Sequence, residues 1–296
     1  MTEHLTLAVS AAKAAARHLL MLFEQRPRVE AKYSSQLLTD ADLLAEKAIL
    51  EVLEDRHPDH SIVSEESGIK QAQSPFTWYV DPLDGTTNFI TGCAYFSVSI
   101  ALARDDEIVA ATVLNPVTDE LYTATRGGGS YLNGQRIQCR ETDRAAVALV
   151  GTDLSVNKPA YALKGQSLTE VLNQGCRAVV INRAPALDLC NIARGRLDAL
   201  IDNGSRAVDH AAGSLVLSEA KGRVRNFLHP SWSPATTGII AAAGPLLQPL
   251  VNLLGLPDAT GTTPSRIDPP SHLPRTGLDP SRQHRGDAEH PSNDRK

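Results

Sequence analysis

The chain predicts a mixed α/β fold, an α+β arrangement of layered sheets and helices. Three observations predict it. Two helical segments with small and apolar residues at helical spacing open the chain. A run of short strand-like segments, separated by turn residues, follows from residue 76 to about residue 137. The second half then alternates apolar strands with helical stretches. Strand runs combined with strand–helix alternation lead to stacked layers of sheet and helix.

The first helix, from about Leu5 to Glu24, places Leu7, Ala11, Ala14, Ala15, His18 and Leu22 on one face, as expected of a helix packed on a core. A second helix follows the polar link Ser34–Gln36. It begins near Thr39, runs through Ala41, Leu44, Ala45, Ala48 and Val52, and carries Asp40 and Asp42 at its start, where free N–H groups favour carboxylates. "SIVSEES" reads as a short strand ending in Glu65 and Glu66, and "FTWYVDPLDG" as a strand stopped by Pro82. "AYFSVSIALAR", "IVAATVLNPV" and "ELYTATRG" read as antiparallel strands, the first two joined by the turn Asp105–Asp106–Glu107. The glycine-rich "RGGGSYLNGQRI" lacks the Lys-Ser/Thr ending and following helix of a phosphate loop, and its Asn133–Gly134 fits a tight hairpin turn. "VALVGTD", "RAVVIN" and "RLDALID" read as strands. "APALDLCNIARG" reads as a helix stopped at Gly195, and "VDHAAGSLVLSEAKG" as one beginning near Asp209 and ending at Gly222. "RVRNF", "GIIAAA" and "PLLQPLVNLLG" supply strand, strand and helix.

With 296 residues the chain can bury a sizeable core, as one large domain or two packed subdomains. The expected division is an N-terminal αβ subdomain over residues 1–145, a C-terminal one over 146–256, and a tail over 257–296. The tail is rich in Pro, Asp, Arg, Ser and His, so it cannot bury enough apolar surface to offset its ordering entropy and reads as disordered. A net charge of −5 gives no basic surface for nucleic acid or anionic membrane, and neither partner is expected. Cys93, Cys139, Cys176 and Cys190 form no C-x-x-C pair, which disfavours a zinc site and fits a reducing cytoplasm. Lys13 and Arg17 interrupt the N-terminal apolar segment, so neither a signal peptide nor a membrane span is read there.

The chemistry concentrates in "YVDPLDGTTNF", Tyr79 to Phe89. An apolar strand delivers Asp81 to a sheet edge, Pro82 turns the chain, and Asp84 returns beside Asp81. Gly85–Thr86–Thr87 can then open a helix or a nest of backbone N–H groups, and such a helix start would hold a phosphate. Two carboxylates beside that cradle would repel a phosphate unless divalent cations lay between them, and hard oxygen ligands suit Mg2+. Metal-assisted attack of water on a phosphate ester is the implied reaction. A capped turn is the plainer alternative, with Asp84 capping the next helix and Asp81 the strand end. Glu65, Glu66 and Asp209 also lie at element ends, so spacing alone leaves both a shared site and a set of caps open.

Four segments together resemble the inositol monophosphatase family of Mg2+-dependent phosphatases. "DPLDGTTNF" is similar to its first signature, "SEES" to its glutamate segment, "LLTDAD" to its early Thr-Asp segment and "VDHAAG" to its second signature, W-D-x-A-A-G. The match in order and spacing covers roughly residues 5–255. The resemblance implies a layered α-β-α-β-α sandwich of the sugar phosphatase type, a homodimer, and sensitivity to Li+. It further implies that Glu65, Asp81 and the carbonyl of Leu83 hold one metal and that Asp81, Asp84 and Asp209 hold a second. A third, weaker ion would sit near Glu65, with Asp42 reached through water. Thr86, with Asp42 or Glu65, would orient and deprotonate the attacking water, and the N–H groups of Gly85 and Thr86 would bind phosphate.

Asp84, Ala186, Asp202 and Arg183 are the substrate contacts expected from the same resemblance. Three positions depart from the family pattern. Asp202 stands where a glutamate is common, "NRAP" replaces a Gly-Ser/Thr-Ala run, and Val208 replaces the tryptophan before Asp209. The expected activity is phosphomonoester hydrolysis on inositol monophosphate or a similar polyol phosphate. Fructose 1,6-bisphosphate, histidinol phosphate and a nucleotide 3'-phosphate are alternatives, although "TTNF" differs from the T-K-E-F common in the nucleotide branch. A regulatory protein that binds a macromolecule on the same fold is the reading from another class, and a metal-storage role leaves Thr86 and the phosphate cradle without a use.

Overall fold

The computed structural model describes residues 2–23, 29–32, 36–152, 162–163 and 166–257. The tail, from residue 258 on, lies outside the described residues. The chain opens with α1 (Glu3–Phe23), the hairpin β1 (Val29–Lys32)–β2 (Gln36–Thr39) and α2 (Asp40–Arg56). Ala11, Ala14 and Ala15 are buried as the spacing predicts. The stripe is nevertheless wider than expected: Leu5, Ala8, Val9, Ala12 and Leu19 are also buried, because α1 packs on both α2 and a sheet. By length and composition α1 could cross a membrane, but its apolar face is occupied by that packing.

Next come β3 (Ser61–Ser64), β4 (Gly68–Lys70), β5 (Phe76–Asp84), α3 (Thr86–Thr91), β6 (Ser97–Arg104), β7 (Glu107–Asn115), β8 (Glu120–Thr125), β9 (Gly129–Leu132) and β10 (Gln135–Arg136). These strands form an eight-stranded sheet in the order β10-β9-β8-β7-β6-β5-β3-β4, antiparallel except for the parallel pair β3–β5. The β6–β7 hairpin turns through left-handed Asp105 and Asp106, and β9–β10 through left-handed Asn133 and Gly134, the backbone that two-residue hairpins require.

Pro82 does not stop its strand. β5 runs through it to Asp84, and the pairing with β6 slips between Asp81↔Ser99 and Asp84↔Ser97. On the other edge the ladder to β3 has already ended at Val80, so the missing N–H of Pro82 costs that ladder nothing. The irregularity re-aims the side chains on either side of it.

The second half contains β11 (Leu149–Thr152), the short pair β12 (Ala162–Leu163) and β13 (Gln166–Ser167), α4 (Leu168–Gly175), β14 (Ala178–Val180), α5 (Pro185–Ala193), β15 (Ala199–Asp202), α6 (Ala207–Glu219), β16 (Gly222–Asn226), β17 (Ile239–Ala243) and α7 (Leu247–Leu253). A five-stranded sheet has the order β14-β11-β15-β17-β16. Period-two alternation sorts its residues between two faces: Ile239, Ala241 and Ala243 pack with α5 and α6, while Ile240 and Ala242 pack with α4 and α7. In the large sheet, Val98, Ile100 and Leu102 face α1 and α2, and Ala101 and Ala103 face α5 and α6. Five layers result, α-β-α-β-α, with α5 and α6 between the sheets. Gly213 lets these two helices meet: a Cβ there would lie 2.6 Å from Leu189 Cβ.

Candidate metal centre

The parallel pair β3–β5 ends with Ser64 opposite Val80, so the segments that follow both strands emerge at one edge. The backbone N–H of Glu65 donates to Val80 O at 3.1 Å, which pins the "SEES" turn beside Asp81. α6 brings its first turn to the same place. Asp209 is its third residue rather than its cap; its Oδ2 accepts the backbone N–H of Arg206 at 2.6 Å, the reach-back half of a capping box. Carboxylate oxygens of Glu65, Asp81 and Asp209, separated by up to 144 positions in the chain, all lie within 4.8 Å of one another.

Asp81 is 2% exposed and Asp84 3% exposed, so both acids lie almost wholly in the interior. Burial pushes Asp81 well above the usual carboxylate range, and repulsion from Glu65, Asp84 and Asp209 adds to it, against the Leu83 N–H that donates to Asp81 Oδ1 at 3.0 Å. Asp84 is raised in the same way by burial and by Asp209; its Oδ2 is held by the Ser97 hydroxyl at 3.1 Å and the Leu187 N–H at 3.4 Å. Burial and Glu65 push Asp209 up to about 7. Glu65 is raised by burial, with Arg206 opposing and Glu66 and Asp42 reinforcing the shift. Crowded carboxylates that resist ionisation in this way are the electrostatic counterpart of a divalent cation site, and their oxygens are the hard donors Mg2+ takes.

Asp42, on the first turn of α2, is buried. The Thr86 hydroxyl lies 3.4 Å from Asp42 Oδ1 and 3.1 Å from the carbonyl oxygen of Leu83, so one hydroxyl bridges two of the expected groups. Gly85 precedes α3 with φ 92°, and a Cβ there would stand 3.0 Å from Tyr95 O. Only glycine fits, by both backbone and space. Gly85 and Thr86 thus stand at a first helical turn, where N–H groups lack intrahelical acceptors.

Of the expected substrate contacts, Arg183 and Ala186 flank the start of α5, which abuts the site: the Leu187 N–H donates to Asp84 Oδ2 at 3.4 Å, and a Cβ at Gly85 would stand 3.2 Å from Ala184 Cβ. Ala186 is fully buried in α5, where its carbonyl oxygen faces Gly213. Arg183 is exposed, with φ 55°, just before α5. Asp202 is fully buried at the end of β15, where its Oδ1 accepts the N–H groups of Gly204 at 2.7 Å and Ser205 at 3.0 Å and closes the turn toward α6. Behind Asp209, Val208 is buried, and Trp232 packs on the same cluster while donating to His210 Nδ1 at 3.3 Å.

Three supporting groups escape sequence reading. Glu46 is buried on α2 and accepts hydrogen bonds from the Ser64 hydroxyl and from the N–H and hydroxyl of Ser67. Its spacing of four from Asp42, on the same helix face, is the signal that could have found it. Arg206 approaches Glu65 Oε1 at 2.6 Å and Asp209 Oδ1 at 3.8 Å; its position three residues before Asp209 is visible in the sequence. Asp188 Oδ1 accepts Asn182 Nδ2–H at 2.7 Å locally and Tyr95 Oη–H at 2.6 Å, a tie across 93 positions that no spacing foretells.

Comparison with known proteins agrees with this architecture. A sequence profile of the inositol monophosphatase family matches residues 1–254. "Nus factor SuhB" of Pasteurella multocida is 34% identical over 248 residues, covering 83% of this chain and 92% of that protein. The crystal structure of extragenic suppressor protein suhB from Bartonella henselae superposes with a TM-score of 0.78 at 30% identity, covering 86% of this chain and 98% of that one. An inositol monophosphatase from Anabaena does so with a TM-score of 0.75 at 29% identity, covering 85% and 94%.

Proposed function

The chain belongs to the inositol monophosphatase family, and from that premise we propose that it hydrolyses the phosphate monoester of a small polyol, with inositol monophosphate the first substrate to test. The observation that carries this reading is the convergence of Glu65, Asp81 and Asp209 within 4.8 Å. Mg2+ is the proposed cofactor. Glu65, Asp81, Asp84, Asp209 and the carbonyl of Leu83 would hold it, and when bound it would neutralise the phosphate and acidify water. Thr86, between Asp42 and the Leu83 carbonyl, would orient the attacking water and relay its proton toward Asp42 or Glu65. The N–H groups of Gly85 and Thr86 would receive the phosphate oxygens. Arg183, exposed before α5, would meet the outer part of the substrate. Asp202 would contribute through the turn it closes before α6. Sensitivity to Li+, a homodimeric state and a cytoplasmic location belong to the same proposal.

The test is phosphate release from a panel of inositol, sugar and nucleotide monophosphates, with and without Mg2+. Mg2+-dependent turnover of a polyol phosphate supports the reading; absence of release across the panel overturns it.

A second reading, a regulatory protein on the same fold, is favoured by the name "Nus factor SuhB" carried by relatives at 34% and 35% identity. The Asp84→Asn variant separates the two in a host lacking its own SuhB relative. If it restores function as well as the unaltered chain, binding rather than hydrolysis is the role.

A further inference from the structure

We propose that Arg206 is an internal counter-cation of the carboxylate centre, which a divalent metal must displace from Glu65 in order to bind. The inference rests on the metal reading above and concerns what this chain adds to it. The guanidinium stands 2.6 Å from Glu65 Oε1 and 3.8 Å from Asp209 Oδ1, two of the three acids that converge within 4.8 Å. The charge of Asp81 also stabilises the guanidinium. Metal ligation and the guanidinium hydrogen bond would draw on the same carboxylate of Glu65, and the two cations would repel each other across it.

The geometry lets Arg206 leave without disturbing α6. Its hydrogen bonds to the helix are made by the backbone, beside the longer ion pair to Asp209: its N–H donates to Asp209 Oδ2, and its carbonyl accepts the Asp209 N–H at 3.1 Å. The side chain is about half exposed, so it can swing toward solvent, and its bond to Glu65 links segments 141 positions apart. Arg206 therefore joins the "SEES" turn to α6 in the metal-free protein and opposes metal loading. It is a positioning residue, acting through Glu65 rather than on substrate.

The test is calorimetric titration of Mg2+ into the metal-free full chain, with Arg206→Gln and Arg206→Lys alongside, and thermal melts of each protein with and without Mg2+. Arg206→Gln should bind Mg2+ about tenfold more tightly, within the usual range of coupling between competing ligands. It should melt lower than the unaltered chain in chelator and gain more from Mg2+. Arg206→Lys, which keeps the charge, should fall between, and supplies the same readout if the glutamine variant folds poorly. Clear binding with equal or weaker affinity in Arg206→Gln overturns this inference alone. Absence of Mg2+ binding in all three proteins overturns the metal reading together with it.

Discussion

The carboxylate of Glu46 accepts the backbone N–H of Ser67 at 3.0 Å, tying α2 to the turn that carries Glu65. The Ser64 and Ser67 hydroxyls donate to the same oxygen. Glu65 is thus aimed by a buried acid that does not belong to the converging trio. Glu46→Ala would leave the buried Ser64 hydroxyl without this acceptor, at a cost of about 1–3 kcal/mol, and would release the exposed Ser67 donors to water. The expected result is a lower unfolding midpoint in denaturant and weaker Mg2+ binding, with Glu46→Gln, which keeps an acceptor oxygen, closer to the unaltered chain. A variant with unchanged Mg2+ affinity would show that the turn holds Glu65 without this brace.

Most of the architecture is legible in the sequence because its signals are local. Ala11, Ala14 and Ala15 mark a buried stripe by spacing, Asn133–Gly134 marks a turn by backbone preference, and Asp81 and Asp84 stand out as acids beside a helix start. Pro82 misleads because the cost of its missing N–H depends on which neighbour would have used it, and that is a property of the sheet. α4 spans only two turns and goes unread in the sequence, although Ser167 and Glu170 have the spacing of a capping box and Leu168, Val171 and Leu172 are buried. Convergence is the part that composition cannot supply. Glu65, Asp81 and Asp209 meet only once β3 and β5 run parallel and α6 lies between the sheets. Asp202 shows what spacing leaves out: its Oδ1 closes the turn before α6, a bond its position in the sequence does not announce.

Asp84 is buried, Asp209 opposes its ionisation, and its own charge opposes that of Asp81. Asp84→Asn removes one of these charges while retaining an oxygen for the Ser97 hydroxyl and the Leu187 N–H. Phosphate release should fall on the order of a thousandfold. In chelator the variant should melt at or above the temperature of the unaltered chain, since a like-charge repulsion is gone. Near-normal turnover would remove Asp84 from the proposed ligand set.

The same crowding sets a pH dependence. Asp209 rises from 3.8 to about 7 on folding, so between those values the folded protein binds more protons than the unfolded one. The resulting stability is fully present below the unfolded value and is lost as pH rises through about 7. Asp81, Asp84 and Glu65 shift in the same direction. In chelator, the carboxylate centre should therefore favour about pH 5.5 over about pH 8. Saturating Mg2+ should shrink the difference, because the cation then does what protons do at acid pH. Urea midpoints at the two pH values, with Mg2+ and with chelator, test this; a pH difference indifferent to Mg2+ would separate the titration from the metal centre.

An opposite dependence comes from the far end of α2. His60 is 3% exposed, and its Nδ1 accepts the indole N–H of buried Trp78 at 3.1 Å. His57 stacks on it at 4.2 Å with planes 6° apart, Phe76 lies at 4.8 Å and His4 at 5.9 Å. Burial lowers the pKa of His60, His57 and His4 lower it further, and Asp59 opposes them. His4 is lowered by burial and His57, with Glu3 opposing. Protonation of His60 would place a second hydrogen between Nδ1 and an indole that can only donate, stranding the Trp78 N–H. The sign is the reverse of that for Asp209. Stability from His60 is fully present above 6.5 and is lost as pH falls through its lower folded value. With Mg2+ saturating, unfolding midpoints should drop between about pH 7 and about pH 5. His60→Asn keeps an acceptor oxygen for Trp78 and removes the titration, so it should flatten that limb. An acid limb unchanged in His60→Asn would assign the loss to other groups.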